Sequence, residues 1–213
     1  QRDSLKNIKK LFQNIYDLNV SAELQFRWAP VIFSRFPMEY TNLSEYHRSF
    51  IRSKIYVGKK KINLDVVHPY PELSESEKTD FLEKVLTNNK LPYILAGDLN
   101  ALSPHDKYNS QKLIEGYQDF MKEKAKSKVR DMLSCQTLQR VLENNLIDTY
   151  CALNKTFNFT VPTDLRSKSK NSGVRIDYLF CSDQFKIIES GIIKNKLTEK
   201  ASDHYPIYAV LEI

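Results

Sequence analysis

Apolar residues first recur with a helical period: Leu5, Ile8, Leu11, Phe12, Ile15 and Tyr16 share one face of a helix predicted over residues 4–18, with Asp3 or Ser4 as its cap. The next apolar positions bunch into short runs of the strand kind. Residues 29–34 predict a strand that Arg35, Phe36 and Pro37 end, and residues 50–57 and 62–67 predict two more, joined by a turn at Gly58 with Lys59, Lys60 and Lys61. Ser74 and Glu77 have capping-box spacing ahead of a helix whose apolar face is Phe81, Leu82, Val85 and Leu86. Residues 91–96 are continuously apolar, as suits a strand buried on both faces. A polar stretch over 103–130 predicts part helix and part mobile chain, and a second firm helix over 135–145 carries Leu138, Val141 and Leu142. Strands over 176–181 and 207–213 complete the pattern.

Strands outnumber helices and the two are mixed along the chain, which fits an α+β, mixed α/β fold of two packed sheets flanked by helices. No internal repeat and no linker appears, so one domain over 1–213 is expected. A hydrophobic fraction of 41%, with 12 Tyr and 11 Phe, fills a real core and argues against disorder. Lys and Arg (32) exceed Asp and Glu (26), giving +6 and a pI near 9.0. That balance favours anionic partners such as nucleic acid, phosphorylated metabolites or acidic membranes, with lysines kept for solubility as the plain alternative. Three cysteines, Cys135, Cys151 and Cys181, have no metal-binding spacing and read as reduced and mostly buried, which favours a cytoplasmic setting. No apolar run approaches the ~20 residues of a membrane helix, and no signal peptide opens the chain, although a targeting segment upstream stays open. The Asn-x-Ser/Thr triplets at Asn154 and Asn158 read as chance in an Asn- and Lys-rich sequence. Neither a Gly-rich phosphate loop nor a dinucleotide fingerprint is present among the five glycines.

Three acid-centred runs stand at strand ends: Gly97-Asp98-Leu99-Asn100, Arg175-Ile176-Asp177-Tyr178 and Ser202-Asp203-His204-Tyr205. In an extended segment Asp98 and Asn100 point to the same side, an acceptor beside an amide donor; the alternative is a turn in which both satisfy backbone groups. Asp177 sits inside an otherwise apolar strand, where a carboxylate needs a partner. His204 would be held in one tautomer by it, leaving Asp203 free for a divalent cation. An Asp177–Arg175 pair is the other reading. His68 ends a strand about 30 residues before Asp98, with the capped helix between them.

The order of these pieces resembles the endonuclease/exonuclease/phosphatase superfamily: a strand ending in His68, a helix, Gly-Asp-Leu-Asn, Leu146-Ile147-Asp148-Thr149, Arg-Ile-Asp-Tyr and Ser-Asp-His-Tyr-Pro. Ile32-Phe33-Ser34-Arg35-Phe36-Pro37 is similar to a further strand of that family. The resemblance implies a DNase I-like four-layer α/β/β/α sandwich and a phosphoesterase. It implies catalytic roles for His68, Asp98, Asn100, Asp177 and His204, a metal-ligand role for Asp203, and Mg2+ as cofactor with Mn2+ as a second option. Asp148 matches a recurrent family acid and is assigned to structure. The family's opening strands, one bearing an Asn and one ending in Gln-Glu, are not visible. Gln1 is followed by Arg2, and Glu23 does not match, so the domain is expected to be incomplete at its N-terminus or depleted in metal ligands.

Subfamily signals are weak. The segment over 157–163 carries no Trp, unlike abasic-site endonucleases, and Asn100 is not followed by the residues usual in inositol polyphosphate 5-phosphatases. Arg166, Lys168, Lys170 and Arg175 either contact an anionic substrate or form a solvated loop, and Lys122–Arg130 reads as the polar face of a helix. Two functions are therefore carried forward. One is a monomeric, metal-dependent hydrolase of a phosphodiester or phosphomonoester, with nucleic acid among its candidate substrates. The other is a catalytically depleted phosphate- or nucleic-acid-binding protein of the same fold.

Overall fold

The computed structural model describes residue 10 and residues 19–21, 30–45, 48–87, 89–165 and 172–213. The helix expected over 4–18, the positions Gln1, Arg2 and Glu23, and the basic residues Arg166, Lys168 and Lys170 lie outside the described residues, Lys10 excepted. Ten strands are described: β1 (Asn19–Ser21), β2 (Ile32–Ser34), β3 (Met38–Glu45), β4 (Arg48–Val57), β5 (Lys60–Val67), β6 (Tyr93–Asp98), β7 (Ile147–Asp148), β8 (Asp177–Cys181), β9 (Lys186–Ile192) and β10 (Ile207–Glu212). The helices are α1 (Glu75–Leu86), α2 (Ser110–Met121), α3 (Ala125–Met132), α4 (Gln136–Glu143), α5 (Thr149–Leu153) and α6 (Thr198–Ala201). None is long and apolar enough to cross a membrane.

Six strands form the main sheet in the order β3-β4-β5-β6-β8-β7. Only β5 and β6 run parallel, and α1 supplies the crossover that a parallel pair needs. Strands β9 and β10 form a second, antiparallel sheet, and β1 pairs with β2. Alternation explains the apolar run at 91–96. Tyr93 and Leu95 face a core shared with Phe81, Leu82 and Val85 of α1 and Leu138 and Val141 of α4. Ile94 faces the opposite way, into a cluster with Cys181, Phe185, Ile187 of β9 and Leu211 of β10. The central strand is thus covered by helices on one face and by the second sheet on the other, and needs apolar residues on both. This is the mixed α/β, sheet-on-sheet arrangement that the sequence pattern predicts.

Several elements differ from the sequence reading. The strand expected over 29–34 is confined to Ile32–Ser34. Strand β3, Met-Glu-Tyr-Thr-Asn-Leu-Ser-Glu, went unread because it lies at a sheet edge, where polar residues are tolerated. The polar 103–130 stretch resolves into α2, a short 3-10 turn and α3, which bury Leu113, Ala125, Val129 and Met132. Strand β9 and the short helices α5 and α6 were also unpredicted.

Helix α1 starts where its cap predicts. Ser74 Oγ accepts from the Glu77 N–H at 3.3 Å, and the Glu77 carboxylate accepts from the Ser74 N–H at 2.8 Å. Arg52 ties its last turn to the sheet, with a fork onto Asp65 and a 2.6 Å bond to the Val85 carbonyl. Replacing Ser74 with Ala is expected to cost about 1 kcal/mol, seen as a melting temperature about 2–4 °C lower. An unchanged melting temperature would show that tertiary packing alone fixes this helix end.

Candidate active site

The ends of β5 and β6 and the start of β8 meet at one end of the central strands of the main sheet. Close approach there depends on Gly97, at φ +141°, where a Cβ would lie 1.9 Å from the Val67 carbonyl oxygen. With β5 and β6 drawn together, His68 just past β5 reaches Asp98 at the end of β6, at 3.5 Å from Nε2 to Oδ2. Antiparallel pairing then sets Asp177, the first residue of β8, directly opposite Asp98. Like charges facing each other across a ladder repel.

His204 enters from the loop before β10, and its Nδ1 lies 2.9 Å from Asp177 Oδ2. A carboxylate only accepts, so this contact fixes the proton on Nδ1 and leaves Nε2 for other partners. Donor atoms of Asp98, Asp177 and His204 lie within 4.8 Å of one another, the one such cluster among the described residues. Asp203 is not in that trio; its backbone carbonyl accepts from the Thr163 N–H at 3.2 Å.

The segment Asp98–Asn100 is not extended. Asn100 has φ 49°, in the left-handed region that Asn tolerates better than most residues. Its N–H donates to Asp98 Oδ1 at 2.9 Å, and its side-chain amide donates to the Pro69 carbonyl at 3.1 Å. The turn reading therefore describes the backbone, and the extended reading is corrected. The turn still brings Asp98 beside His68, because Asn100 is anchored to the residue after that histidine.

Electrostatics follow from this crowding. Burial, and then the charge of Asp177, push the Asp98 carboxyl up to about 7, against the pull of His204 and of the Asn100 N–H. Burial opposes a charged His204, but the hydrogen bond and charge of Asp177, with Asp98 and Asp203 nearby, outweigh it and raise its pKa. The cysteines contribute no nucleophile. Burial pushes the thiols of Cys135 and Cys181 up to about 11 and that of Cys151 up to about 12.

Arg175 does not pair with Asp177. Its buried guanidinium bonds Asp106 Oδ2 at 2.9 Å and Asp148 Oδ1 at 3.1 Å, and lies over the ring of Tyr178. Asp148 also caps α5 by accepting from the N–H groups of Tyr150 and Cys151, a structural part.

Thr160, absent from the sequence reading, splints the site. Its Oγ1 accepts from the Ile176 N–H at 3.1 Å, and its carbonyl accepts from the Tyr205 N–H at 2.7 Å. One residue thus ties the strand of Asp177 to the loop of His204. A threonine in an irregular segment carries no sequence signal of that role.

The donor set suits a hard divalent cation. Carboxylate oxygens predominate, and the carboxylates of Asp98 and Asp177 face each other across the β6–β8 ladder.

Solved structures share this fold at low sequence identity. The chain aligns with an endonuclease/exonuclease/phosphatase from Beutenbergia cavernae at 20% identity and TM-score 0.57, over 86% of this chain and 47% of that one. It aligns with the 3'-5' exonuclease NExo from Neisseria meningitidis at 16% and 0.58, over 86% and 75%. It aligns with TDP2 of D. rerio, complexed with a single-strand DNA product, at 15% and 0.59, over 97% and 81%. The chain thus spans about half the length of the first of these. No curated protein matches it in sequence. A model of the endonuclease/exonuclease/phosphatase family matches residues 27–204, and the chain belongs to that family.

Proposed function

We propose that the chain hydrolyses a phosphate ester with the aid of a divalent cation, magnesium first and manganese second. The observation that carries this reading is the convergence of Asp98, Asp177 and His204 within 4.8 Å, with His68 3.5 Å from Asp98. Phosphoryl transfer asks little covalent chemistry of a protein; it needs a placed water, donors on the non-bridging oxygens and charge neutralisation. Asp98, at the end of β6 and 3.5 Å from His68, is the carboxylate assigned to align the attacking water and take its proton. His204, kept protonated by Asp177, donates from Nε2 to a phosphoryl oxygen. His68, 3.5 Å from Asp98, and the Asn100 amide are assigned as further donors to the phosphoryl oxygens. A divalent cation, when bound, would be held by carboxylates of this cluster with Asp203 as a further ligand, and would supply Lewis-acid stabilisation of phosphoryl charge.

Nucleic acid is the favoured substrate among phosphate esters. The net charge of +6 supports a polyanion, and so does the DNA product bound by TDP2 and the exonuclease activity named for NExo.

The test is hydrolysis of bis(4-nitrophenyl) phosphate, 4-nitrophenyl phosphate and a single-stranded oligonucleotide, with and without magnesium. The expected result is turnover that EDTA abolishes and that Asp177→Asn lowers about 100-fold, by releasing the His204 tautomer. No hydrolysis, together with no calorimetric heat at millimolar magnesium, would overturn this reading in favour of a phosphate-binding protein without turnover.

A further inference from the structure

Lys78 and Glu75 of α1 are both fully buried, an uncommon state for either residue. They pair with each other at 3.0 Å between Nζ and Oε1. Lys78 Nζ also donates to the Asn100 carbonyl at 2.6 Å, and that contact joins the helix to the turn carrying Asp98. Glu75 is anchored from the other side. Its Oε2 accepts from the Thr137 N–H at 3.1 Å, its carbonyl accepts from Thr137 Oγ1 at 3.1 Å, and its own N–H donates to Asp131 at 3.1 Å. A line of hydrogen bonds therefore runs from the first turn of α4, through Glu75 and Lys78, to Asn100.

A buried ion pair is a weak source of stability, because desolvating two charges costs about what their attraction returns. An apolar pair of equal volume packs as well. What an apolar pair does not provide is a donor under the Asn100 carbonyl. That residue is held in the left-handed region while its N–H fixes the Asp98 carboxylate and its side chain holds Pro69 beside His68. The Leu99 N–H is held by the Ile176 carbonyl at 2.8 Å, and the Asn100 carbonyl is a further polar handle on the backbone of this turn, which Lys78 takes.

We infer that Lys78, seated on Glu75, is a positioning residue that fixes the Asp98–Asn100 turn in its reactive geometry through the Asn100 carbonyl. The inference rests on the phosphoesterase reading for its kinetic consequence only. Lys78 touches no reacting atom, and its effect travels through one hydrogen bond to the backbone of Asn100.

Removing Lys78 alone leaves Glu75 as an uncompensated buried charge, a fault that destabilises the fold whatever the role of Lys78. The comparison is therefore between two neutral double variants, Glu75→Gln with Lys78→Met and Glu75→Gln with Lys78→Gln. Both erase the two charges; only the second keeps a side-chain N–H donor at position 78. Three quantities are read for each: the melting temperature, the amide exchange rate of the Asn100 N–H, and kcat and KM on the substrate above. In the Met variant the Asn100 amide is expected to exchange about 10-fold faster and kcat to fall about 30-fold at unchanged KM, the scale of a small misplacement of reacting groups. The Gln variant is expected to recover most of both losses at a similar melting temperature. Equal exchange and equal kcat in the two variants would overturn the inference and leave the pair a structural one. Wild-type protein without turnover would count against the phosphoesterase reading, while the exchange comparison would still decide the role of Lys78.

Discussion

Asp98→Asn is expected to lower phosphoester hydrolysis about 10³-fold, the usual worth of a general base, while raising the melting temperature of the metal-free protein. The two effects have one cause. Asp98 faces Asp177 across the β6–β8 ladder with little solvent, its side chain 18% exposed. Its pKa of about 7 in the fold stands above the ordinary carboxylate range near 4. A group whose folded value is raised contributes stability that is complete below its unfolded value and is lost as pH rises through the folded one. The metal-free protein therefore loses stability between about pH 4 and 7 through Asp98, and the raised His204 adds a loss of the same sign above about 6.5. Asparagine has no charge to bury but keeps an oxygen for the Asn100 N–H. At pH 8 in EDTA the variant is expected to gain about 1–2 kcal/mol, or roughly 3–6 °C. Magnesium should reverse the order, because a cation that binds the native wild-type site stabilises it by mass action. A variant that melts below wild type in EDTA at pH 8 would contradict the charge-crowding account. Retention of activity within about tenfold would remove Asp98 from the role of base.

Gly97→Ala is expected to be severely destabilising. The added Cβ would stand 1.9 Å from the Val67 oxygen and 3.0 Å from its carbonyl carbon, and both are backbone atoms of the paired strand. No side-chain rotation relieves that contact. Either the β5–β6 pairing opens at Val67 or Gly97 leaves φ +141°, a conformation that L side chains rarely adopt. The expected loss is about 4 kcal/mol, in the range reserved for severe backbone or packing faults. The melting temperature should fall by roughly 10 °C. Hydrolysis measured below the new melting point should fall as well, because His68 and Asp98 flank the disturbed junction. A melting temperature within about 2 °C of wild type would show that the strand ends part at no cost.

Much of this protein is legible along the chain, where local rules suffice. The capping box at Ser74 and Glu77 marks the start of α1, because an orphan N–H must be satisfied within the first turn. The apolar run of β6 declares burial on both faces, and Asp98 and Asp177 lie at strand ends. Elements with weak local signals were missed. Strand β3 sits at an edge and needs no alternation, and the helices of the 103–130 stretch owe their place to packing.

The sequence by itself determined which chemical groups are available and in what order they arrive: a histidine after β5, acids at the ends of β6 and β8, and an Asp-His pair before β10. Tertiary structure alone decided who meets whom. Register set Asp98 opposite Asp177, and the fold gave Asp177 to His204 while sending the neighbouring Arg175 to Asp106 and Asp148. It turned Asn100 left-handed, placed Lys78 beneath it, and used Thr160 to join two distant segments. Thr160 and Ile176 are 16 positions apart and Arg175 and Asp106 are 69, and local propensity carries no information about such contacts. They follow from strand register and from the requirement that every buried charge and backbone dipole find a partner.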